Sequence, residues 1–493
     1  MAIPKVVLSL VEGALGIPPE QTDNVLIVFG YSSTGTVGQI YDFDQASPST
    51  VKSQIGVGRG PQLVATLLAT PNHGPVKFVP LAFTAGTNSA VSSSGSGTPP
   101  VITLTGTPHD DFNLRVEVVQ TGTLGVWTLR YSLDYSSKFP SQATWSAEIV
   151  SAATVALPDT GITLNIAAGT AAADNVWTAT CTAPTHSNTQ ITDGIDLVIA
   201  AGTDFGWGWV TAANGGASDA ARMSALAATF AAVSARIDLL EAAYKYVGFT
   251  LEAPSPFDPT TSAGLTTWRS AFASAVAALA HKRMMIAAGY CRRAADMTIA
   301  GFGIPRRPIW TVAERLSSMS ISTHLGEVKS GPSRSVVSLE HDEEATGGLD
   351  SLRLTTMRTI AGRQGFYVTR GNQFATVGSD YSATPRLRVI NTASKTLRNA
   401  ALFYLNSKII VDSATGRIRE DEAMAIDSDL SSQLDAVLVQ PQHASSVAAR
   451  VSRTDAILST STLNVEGAVQ PVGYGEQIPI SLGFTKTTAA AAA

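Results

Sequence analysis

Between Val101 and Pro184 the apolar segments are short and alternate with polar residues. Examples are Val101–Thr105, Leu114–Val119, Val126–Tyr131, Ile162–Ile166 and Val176–Thr180, with turn residues between them. Apolar alternation with period two marks half-buried strands, and about 85 residues of it make a small β-sandwich. The flanks follow a different rule. Asn24–Gly30 is a short apolar run suited to a buried strand, Pro61–Ala69 suits a helix with proline in its first turn, and Lys77–Phe83 is strand-like again. Strand, helix, strand defines an α/β layer. After Pro184 the helix period returns, with Met223, Leu226, Phe230, Val233, Ile237, Leu240 and Tyr244 recurring behind a Ser218-Asp219 cap. A strand-only block with α/β sequence on both sides is expected to be a domain inserted at a surface loop.

The other segments complete an α/β (α+β) multidomain chain. Ala90–Pro100 has the Ser/Gly/Pro content of a flexible linker. Leu265–Tyr290 is alanine-rich and reads as one long helix. A second α/β unit is expected from about residue 331, with a strand at Arg363–Thr369 and Arg386–Ile390 leading into a helix through Leu405. Ile418–Leu438 reads as an amphipathic helix, with Ala423, Ile426, Leu430, Leu434 and Val437 on one face and Glu420, Asp421, Glu422, Asp427, Asp429 and Asp435 on the other. The two ends of the chain share a pattern. Val6, Leu8 and Leu10 alternate at the start and are tethered by Gly13, Gly16, Pro18 and Pro19. Ile478, Ile480, Leu482 and Phe484 alternate near the end. Such strands can leave their own domain and add to a neighbour's sheet edge. The expected division is an arm at 1–22, a discontinuous α/β domain at 23–97 and 186–330, the sandwich at 98–185, a C-terminal α/β domain at 331–472, and a strand arm with tail at 473–493.

Charge and chemistry narrow the function. Lys and Arg number 34 against 39 Asp and Glu, a net charge of −5, which disfavours a nucleic-acid binder resting on a basic face. Charged residues make up 15% of the chain, against about 25% in ordinary domains, as suits a surface largely covered by other chains. No run of 18 apolar residues is present, so no spanning helix is expected. The apolar N-terminal stretch is too short for a signal peptide and is closed by Glu12, which implies synthesis in a cytoplasm. Cys181 and Cys291 are too few for a disulfide framework or a cysteine metal site and are expected to be buried thiols.

No catalytic set, cofactor site or metal site is expected. Gly30–Thr36 follows a strand as a phosphate loop does, but Thr36 stands where the phosphate-neutralising lysine is needed. Gly56-Val57-Gly58-Arg59-Gly60 lacks the third glycine of a dinucleotide fold and suits a loop before a helix. His341-Asp342-Glu343-Glu344 points its side chains in different directions, so ion pairing with Arg353 and Arg358 is expected rather than a shared metal. Histidines 73, 109, 186, 281, 324, 341 and 443 are scattered, and neither HExxH nor GxSxG occurs. Trp127, Tyr131, Tyr135 and Trp145 are expected in the sandwich core. The alternative is an adhesin-like or carbohydrate-binding head that presents them as aromatic faces to sugars.

An ordered series of short patches carries a family resemblance. It runs through Gly303–Pro308 with Trp310, Asp342-Glu343 with Leu349-Asp350, Arg363–Thr369, Gly378–Tyr381, and Arg388-Val389. Thr415–Ile418 with Glu420 and Ala423, then Val451–Arg453, Pro471–Tyr474 and Ile478–Phe484, complete it. In order and spacing, residues 300–484 resemble the tail sheath proteins of contractile phage tails and contractile injection systems. Residues 22–95 and 186–300 resemble them more loosely, and the sandwich departs from the minimal sheath.

The resemblance implies a non-enzymatic structural subunit of a virion tail or injection particle. Copies would stack as hexameric rings or a helix around an inner tail tube, joined by strands donated from both termini. Contraction would drive the tube through a target envelope. Baseplate and tail terminator proteins are the further implied partners, with no direct nucleic-acid binding and no membrane insertion. The C-terminal domain would face the tube through the acidic side of its helix, namely Glu420, Asp421, Glu422, Asp427 and Asp429. Neutralising the first three would then weaken assembly on tubes. The sandwich would face outward.

Overall fold

The computed structural model describes residues 25–43, 47–135, 140–211, 215–256, 262–289, 291–293, 305–306, 309–376, 378–476 and 478–479. The chain forms β1 (Leu26–Gly30), β2 (Tyr41–Asp42), α1 (Pro48–Ile55), α2 (Arg59–Leu68) and β3 (Val76–Pro80), then enters the inserted strands. These are β4 (Thr87–Asn88), β5 (Ser92–Ser94), β6 (Ile102–Gly106), β7 (Phe112–Gln120), β8 (Gly122–Thr123), β9 (Thr128–Ser132), β10 (Ile149–Val150), β11 (Thr154–Leu157), β12 (Ile162–Ile166), β13 (Thr170–Ala171) and β14 (Val176–Thr182). The α/β pattern resumes with α3 (Asn188–Ala200), β15 (Trp207–Thr211), α4 (Asp219–Ala242), β16 (Gly248–Glu252), α5 (Ser262–Val276) and β17 (Met284–Ala287).

These elements build a sheet in the order β17-β16-β15-β1-β3-β2, parallel except for β2. Taken in chain order, the five parallel strands lie 2-1-3-4-5, a doubly wound arrangement. Side chains of β1 divide between two cores. Ile27 and Phe29 join α3, α4 and α5 on one face, and Leu26 and Val28 join α1 and α2 on the other. Neither β15 nor β16 is expected from the sequence; Gly208 interrupts the first and Gly248 opens the second. The Phe249 ring occupies the space a Cβ on Gly208 would take, and the Trp207 ring does the same at Gly248. Leu265–Tyr290 also differs from expectation. The helix ends at Val276, and Met284–Ala287 is a buried parallel strand. A short apolar run has no periodicity that separates a strand from a buried helix.

Helix α4 contains a window long and apolar enough to cross a membrane, with mean hydropathy 1.4, contrary to the expectation of none. Its Met223, Leu226, Phe230, Val233, Ile237 and Leu240 lie in the core against the sheet, which accounts for its composition. Ser218 caps it, accepting from the Ala221 amide at 3.2 Å.

The insertion has a narrow neck. Thr84 and Thr185 exchange backbone hydrogen bonds of 2.8 and 3.0 Å where the chain leaves and re-enters the α/β unit. Beyond it, the sheet β10-β9-β7-β14-β4 packs over β11-β12-β6 around stacked Trp127 and Trp177, whose ring centroids are 5.8 Å apart. The Ala90–Pro100 stretch is not a free linker. Ser92–Ser94 pairs with Val176–Thr178, because Ser and Gly do not prevent backbone pairing where an open edge is adjacent.

The remaining elements are β18 (Cys291–Arg293), β19 (Pro305–Arg306), α6 (Ile309–Ser318), β20 (Val336–Leu339), β21 (Met357–Ile360), β22 (Arg363–Val368), α7 (Thr384–Leu402), α8 (Glu420–Leu434), β23 (Ala444–Val451), α9 (Ile457–Thr460) and β24 (Val465–Pro471). Leu349, Leu354 and Phe374 belong to the α3/α4/α5 core, and Val368 and Leu387 to the α1/α2 core. Backbone bonds from Thr355 to Ile286 and from Phe374 to Met284, 2.9 and 2.8 Å, cover the β17 edge. By packing, the first unit therefore continues past residue 331. A separate core forms where α7 and α8 lie on the antiparallel β23–β24 hairpin, through Val389, Ala393, Ile426, Leu430, Leu434 and Val451.

Candidate assembly surfaces

In a doubly wound sheet, ligands enter a crevice at the carboxyl ends of the strands, beside the point where the strand order reverses. Here that region is built from the Gly30–Thr36 loop, the 56–60 loop and the sandwich. Ser33 N donates to Val57 O and Val57 N to Ser33 Oγ, both at 2.9 Å, so the two loops satisfy each other. The glycines allow close packing: a Cβ on Gly58 would meet the Tyr31 ring, and one on Gly60 the Phe78 ring. Arg59, sealed from solvent, pairs with Asp110 at 3.0 Å, Glu252 at 3.3 Å and Asp111, while Gln62 donates to Asp110 at 3.1 Å. Tyr31 and His109 add a 2.7 Å bond. The sandwich's Asp110 and Asp111 thus fill the strand-end region with an internal ion-pair cluster.

The other candidates are also committed internally. Glu343 accepts from the amides of Gly348 and Asp350 and bonds His341 at 3.0 Å, while Asp342 holds Thr359. Arg358 approaches Glu344 at 4.0 Å. Arg353, expected to pair with these acids, instead donates to the carbonyls of Ala375, Val276 and Leu279 and lies over the Phe374 ring. Among the described residues no group of three or more His, Cys, Asp or Glu could hold a metal. Burial pushes both cysteine thiols up to about 12. In the sandwich, Trp127 and Tyr131 are buried in the core. Tyr135 and Trp145 are partly buried beneath Arg115 and Arg130, at 4.3 and 4.4 Å. These four aromatics do not form one exposed face.

Helix α8 buries Ala423, Ile426, Leu430 and Leu434 as expected, but its acids do not form one outward face. Glu420 and Asp427 turn to Arg453, at 3.2 and 2.8 Å, and Asp427 also accepts from the Val451 amide at 2.7 Å. Asp421 pairs with Arg419. Asp429 accepts from the Tyr404 hydroxyl at 2.7 Å; burial, then this bond, push that hydroxyl up to about 12. Three acids in the first turn also favour the helix by facing its N-terminal dipole. The exposed positions of the helix are Glu420, Asp421, Met424, Ala425, Ser428 and Ser432. Sequence spacing identified the buried face and missed the partners of the acids, which come from distant segments.

The β23–β24 hairpin has two unlike edges. Ala449 N and Val451 N point away from β24 and are taken by Ser431 Oγ at 3.0 Å and Asp427 Oδ1, so α8 closes that edge. Residues facing each other across an antiparallel ladder share hydrogen-bonding phase. Val465, Gly467 and Val469, opposite Val451, Ala449 and Val447, therefore also turn their backbone groups outward. No further strand pairs with β24 among the described residues. After Pro471 the chain leaves the hairpin. Tyr474 Oη donates to Ser322 O at 2.6 Å, and Arg370 pairs with Glu476 at 3.0 Å. Ile478 is 77% exposed. Val6, Leu8, Leu10, Ile480, Leu482 and Phe484 lie outside the described residues.

The chain is thus a doubly wound α/β protein with an inserted sandwich and a C-terminal hairpin whose β24 edge has no strand partner among the described residues. Residues 3–372 match the family described as DUF2586, N-terminal domain, and the chain belongs to that family. No curated protein matches it. Among solved structures it is similar to the anti-feeding prophage helical sheath in its contracted state, at 10% identity and TM-score 0.49, covering 99% of this chain and 100% of that one. It is also similar to a chain of the anti-feeding prophage baseplate, 6-fold symmetrised, at 13% identity and TM-score 0.39, covering 60% and 72%.

Proposed function

We propose that this chain is the subunit of a contractile tail sheath. It polymerises around an inner tube, through closed rings or a helix of identical copies, and contracts to drive the tube through a target envelope. The observation that carries the reading is the β23–β24 hairpin, with one edge closed by α8 and the other without a strand partner among the described residues. An open edge is a template for a strand from another chain. The alternating segments Val6–Leu10 and Ile478–Phe484 have the pattern of such a strand, apolar on one side. A strand of about five residues adds several backbone hydrogen bonds, each worth about 0.5–1.5 kcal/mol. Linked in this way, subunits stay connected while their other contacts rearrange, and contraction draws on two packings of the same subunits.

The ordered sequence patches shared with sheath proteins support the same reading, as does the filling of the strand-end region by Arg59, Asp110 and Glu252, which suits a mechanical part. In this arrangement the C-terminal unit faces the tube, the sandwich faces outward, and assembly takes place in the host cytoplasm. Overexpression followed by negative-stain electron microscopy tests it. Long hollow cylinders that disappear when residues 1–20 or 474–493 are deleted are expected. Monomers alone, with and without preformed tubes, would overturn it.

A further inference from the structure

The outer edge of β24 has a competitor within its own chain. Residues 472–477 separate Pro471, the end of β24, from the alternating segment Ile478–Phe484. Antiparallel hairpins are commonly closed by about two to five residues, and the entropy of closing a loop rises only slowly with its length. The segment is therefore within reach of the strand it follows. On so short a tether it meets that edge at an effective concentration of roughly millimolar, well above that of dilute subunits. Unopposed, it would cover the outward backbone groups of Val465, Gly467 and Val469, and a second copy would find the edge closed.

The chain takes another path. Tyr474 Oη donates to Ser322 O at 2.6 Å, and its ring lies beside His324, with centroids 5.4 Å apart. The Ser322 hydroxyl meets His443 Nδ1 at 3.0 Å, and His443 immediately precedes β23. Tyr474 is thus held at the β23 side of the hairpin base, not beside the outer edge of β24. Two residues on, Glu476 N donates to Tyr474 O at 3.1 Å, and Glu476 pairs with Arg370 at 3.0 Å. Arg370 also pairs with Asp350 at 3.1 Å, next to Leu349 of the α3/α4/α5 core. The chain has therefore crossed from the hairpin to the first α/β unit before the alternating segment begins, and neither Ile478 nor Pro479 belongs to a strand. The two holds differ in strength. Arg370 and Glu476 are each about half exposed, so their pair is screened and contributes little. Half-buried Tyr474 is the principal hold.

We infer that Tyr474, with Glu476 as a secondary hold, anchors the chain so that its terminal segment stays off its own β24 edge and leaves that edge to the segment of a second copy. The second copy rests on the sheath reading; the anchor does not. The anchor does not alter how a strand fits the edge. It removes the nearer of two edges from reach, which is specificity by exclusion.

The test uses the full chain, with amide hydrogen exchange on monomers at low concentration and cylinder yield at high concentration. In the unmodified monomer the Gly467 and Val469 amides are expected to exchange freely, and deletion of residues 478–493 should not change them. Tyr474→Ala with Glu476→Ala should slow both amides at least tenfold, only while residues 478–493 are present, and lower the cylinder yield at least tenfold. Tyr474→Phe with Glu476→Gln keeps the bulk and weakens both polar contacts. It should shift both readings in the same direction by at least threefold. Lost cylinders without slowed amides would show a purely structural role and overturn the inference. Slowed amides with an undiminished yield would also overturn it, as would segment-dependent protection already present in the unmodified monomer. If the unmodified chain forms no cylinders, exchange alone decides the anchor, and it is the sheath reading that falls.

Discussion

Arg292 of β18 reaches out of the α/β unit into the sandwich and meets Asp134 at 2.8 Å, both groups sealed from solvent. Arg292 also donates to the Asp134 carbonyl at 2.9 Å, and Ser132 and Thr144 donate to the Asp134 carboxylate at 2.7 and 3.1 Å. With the Arg59 cluster, this fixes the sandwich to the body at two buried points. A buried pair broken on one side leaves an unpaired charge, at a cost of about 3–5 kcal/mol. Arg292→Ala is expected to lose that much in urea unfolding. The double replacement Arg292→Met with Asp134→Asn should cost less than the sum of the two single changes. Strictly additive losses below about 1 kcal/mol would show that the clamp is not energetically coupled.

His186 lies at the sandwich neck, bonded through Nδ1 to Ala82 O at 2.7 Å. Burial holds its pKa down at about 4, against an opposing effect of that bond. Because the folded value lies below the ordinary 6.5, the unfolded chain takes up the proton first. Stability is then complete above pH 6.5 and falls as the pH drops toward 4, by up to about 3 kcal/mol from this group. His109, His281, His324 and His443 are pushed in the same direction, so the unmodified chain loses stability across this window. His186→Gln keeps a donor for Ala82 and does not titrate, so its stability profile should be flatter between pH 6.5 and 4. Parallel profiles from denaturant titrations at several pH values would remove His186 as a contributor.

The legible parts of the chain were those whose period is local. The β1 run Leu26–Gly30, the sandwich strands and the buried stripe of α8 follow from spacing alone. β15 and β16 did not, because Gly208 and Gly248 owe their places to aromatic rings on the neighbouring strand. The acids of α8 looked like one solvent face because Arg453 lies 33 residues from Glu420 and the Tyr404 hydroxyl 25 from Asp429. The open edge of β24 was equally hidden, since it depends on Ser431 and Asp427 covering the other side. Period predicts which face of an element is buried; it does not say which groups from distant segments neutralise the other.

The sandwich aromatics separate a core role from sugar binding. Trp127 is fully buried against Trp177, and its truncation to Ala should cost about 3–5 kcal/mol. Trp145 sits partly buried beneath Arg130, a contact worth about 0.5–1 kcal/mol at an accessible site. Trp145→Ala should therefore change the melting temperature little. Glycan-array binding by the full chain that disappears in Trp145→Ala would restore the carbohydrate-binding alternative.

The hairpin edge gives the sharpest separation of folding from assembly. The Val469 amide points outward, away from β23, so it contributes nothing to the β23–β24 ladder. Val469→Pro removes that donor and places a ring where an incoming strand must pair. The monomer should keep its fold while cylinders are lost. Val469→Ala, which gives up the partial packing of Val469 against the α7–α8 core but keeps the amide, should still polymerise. Ala468→Pro is the complementary control, because the Ala468 amide faces β23 and its loss should disturb the hairpin itself. Circular dichroism and negative-stain microscopy on the three variants read out both properties. Cylinders formed by Val469→Pro at the unmodified yield would exclude strand addition at β24.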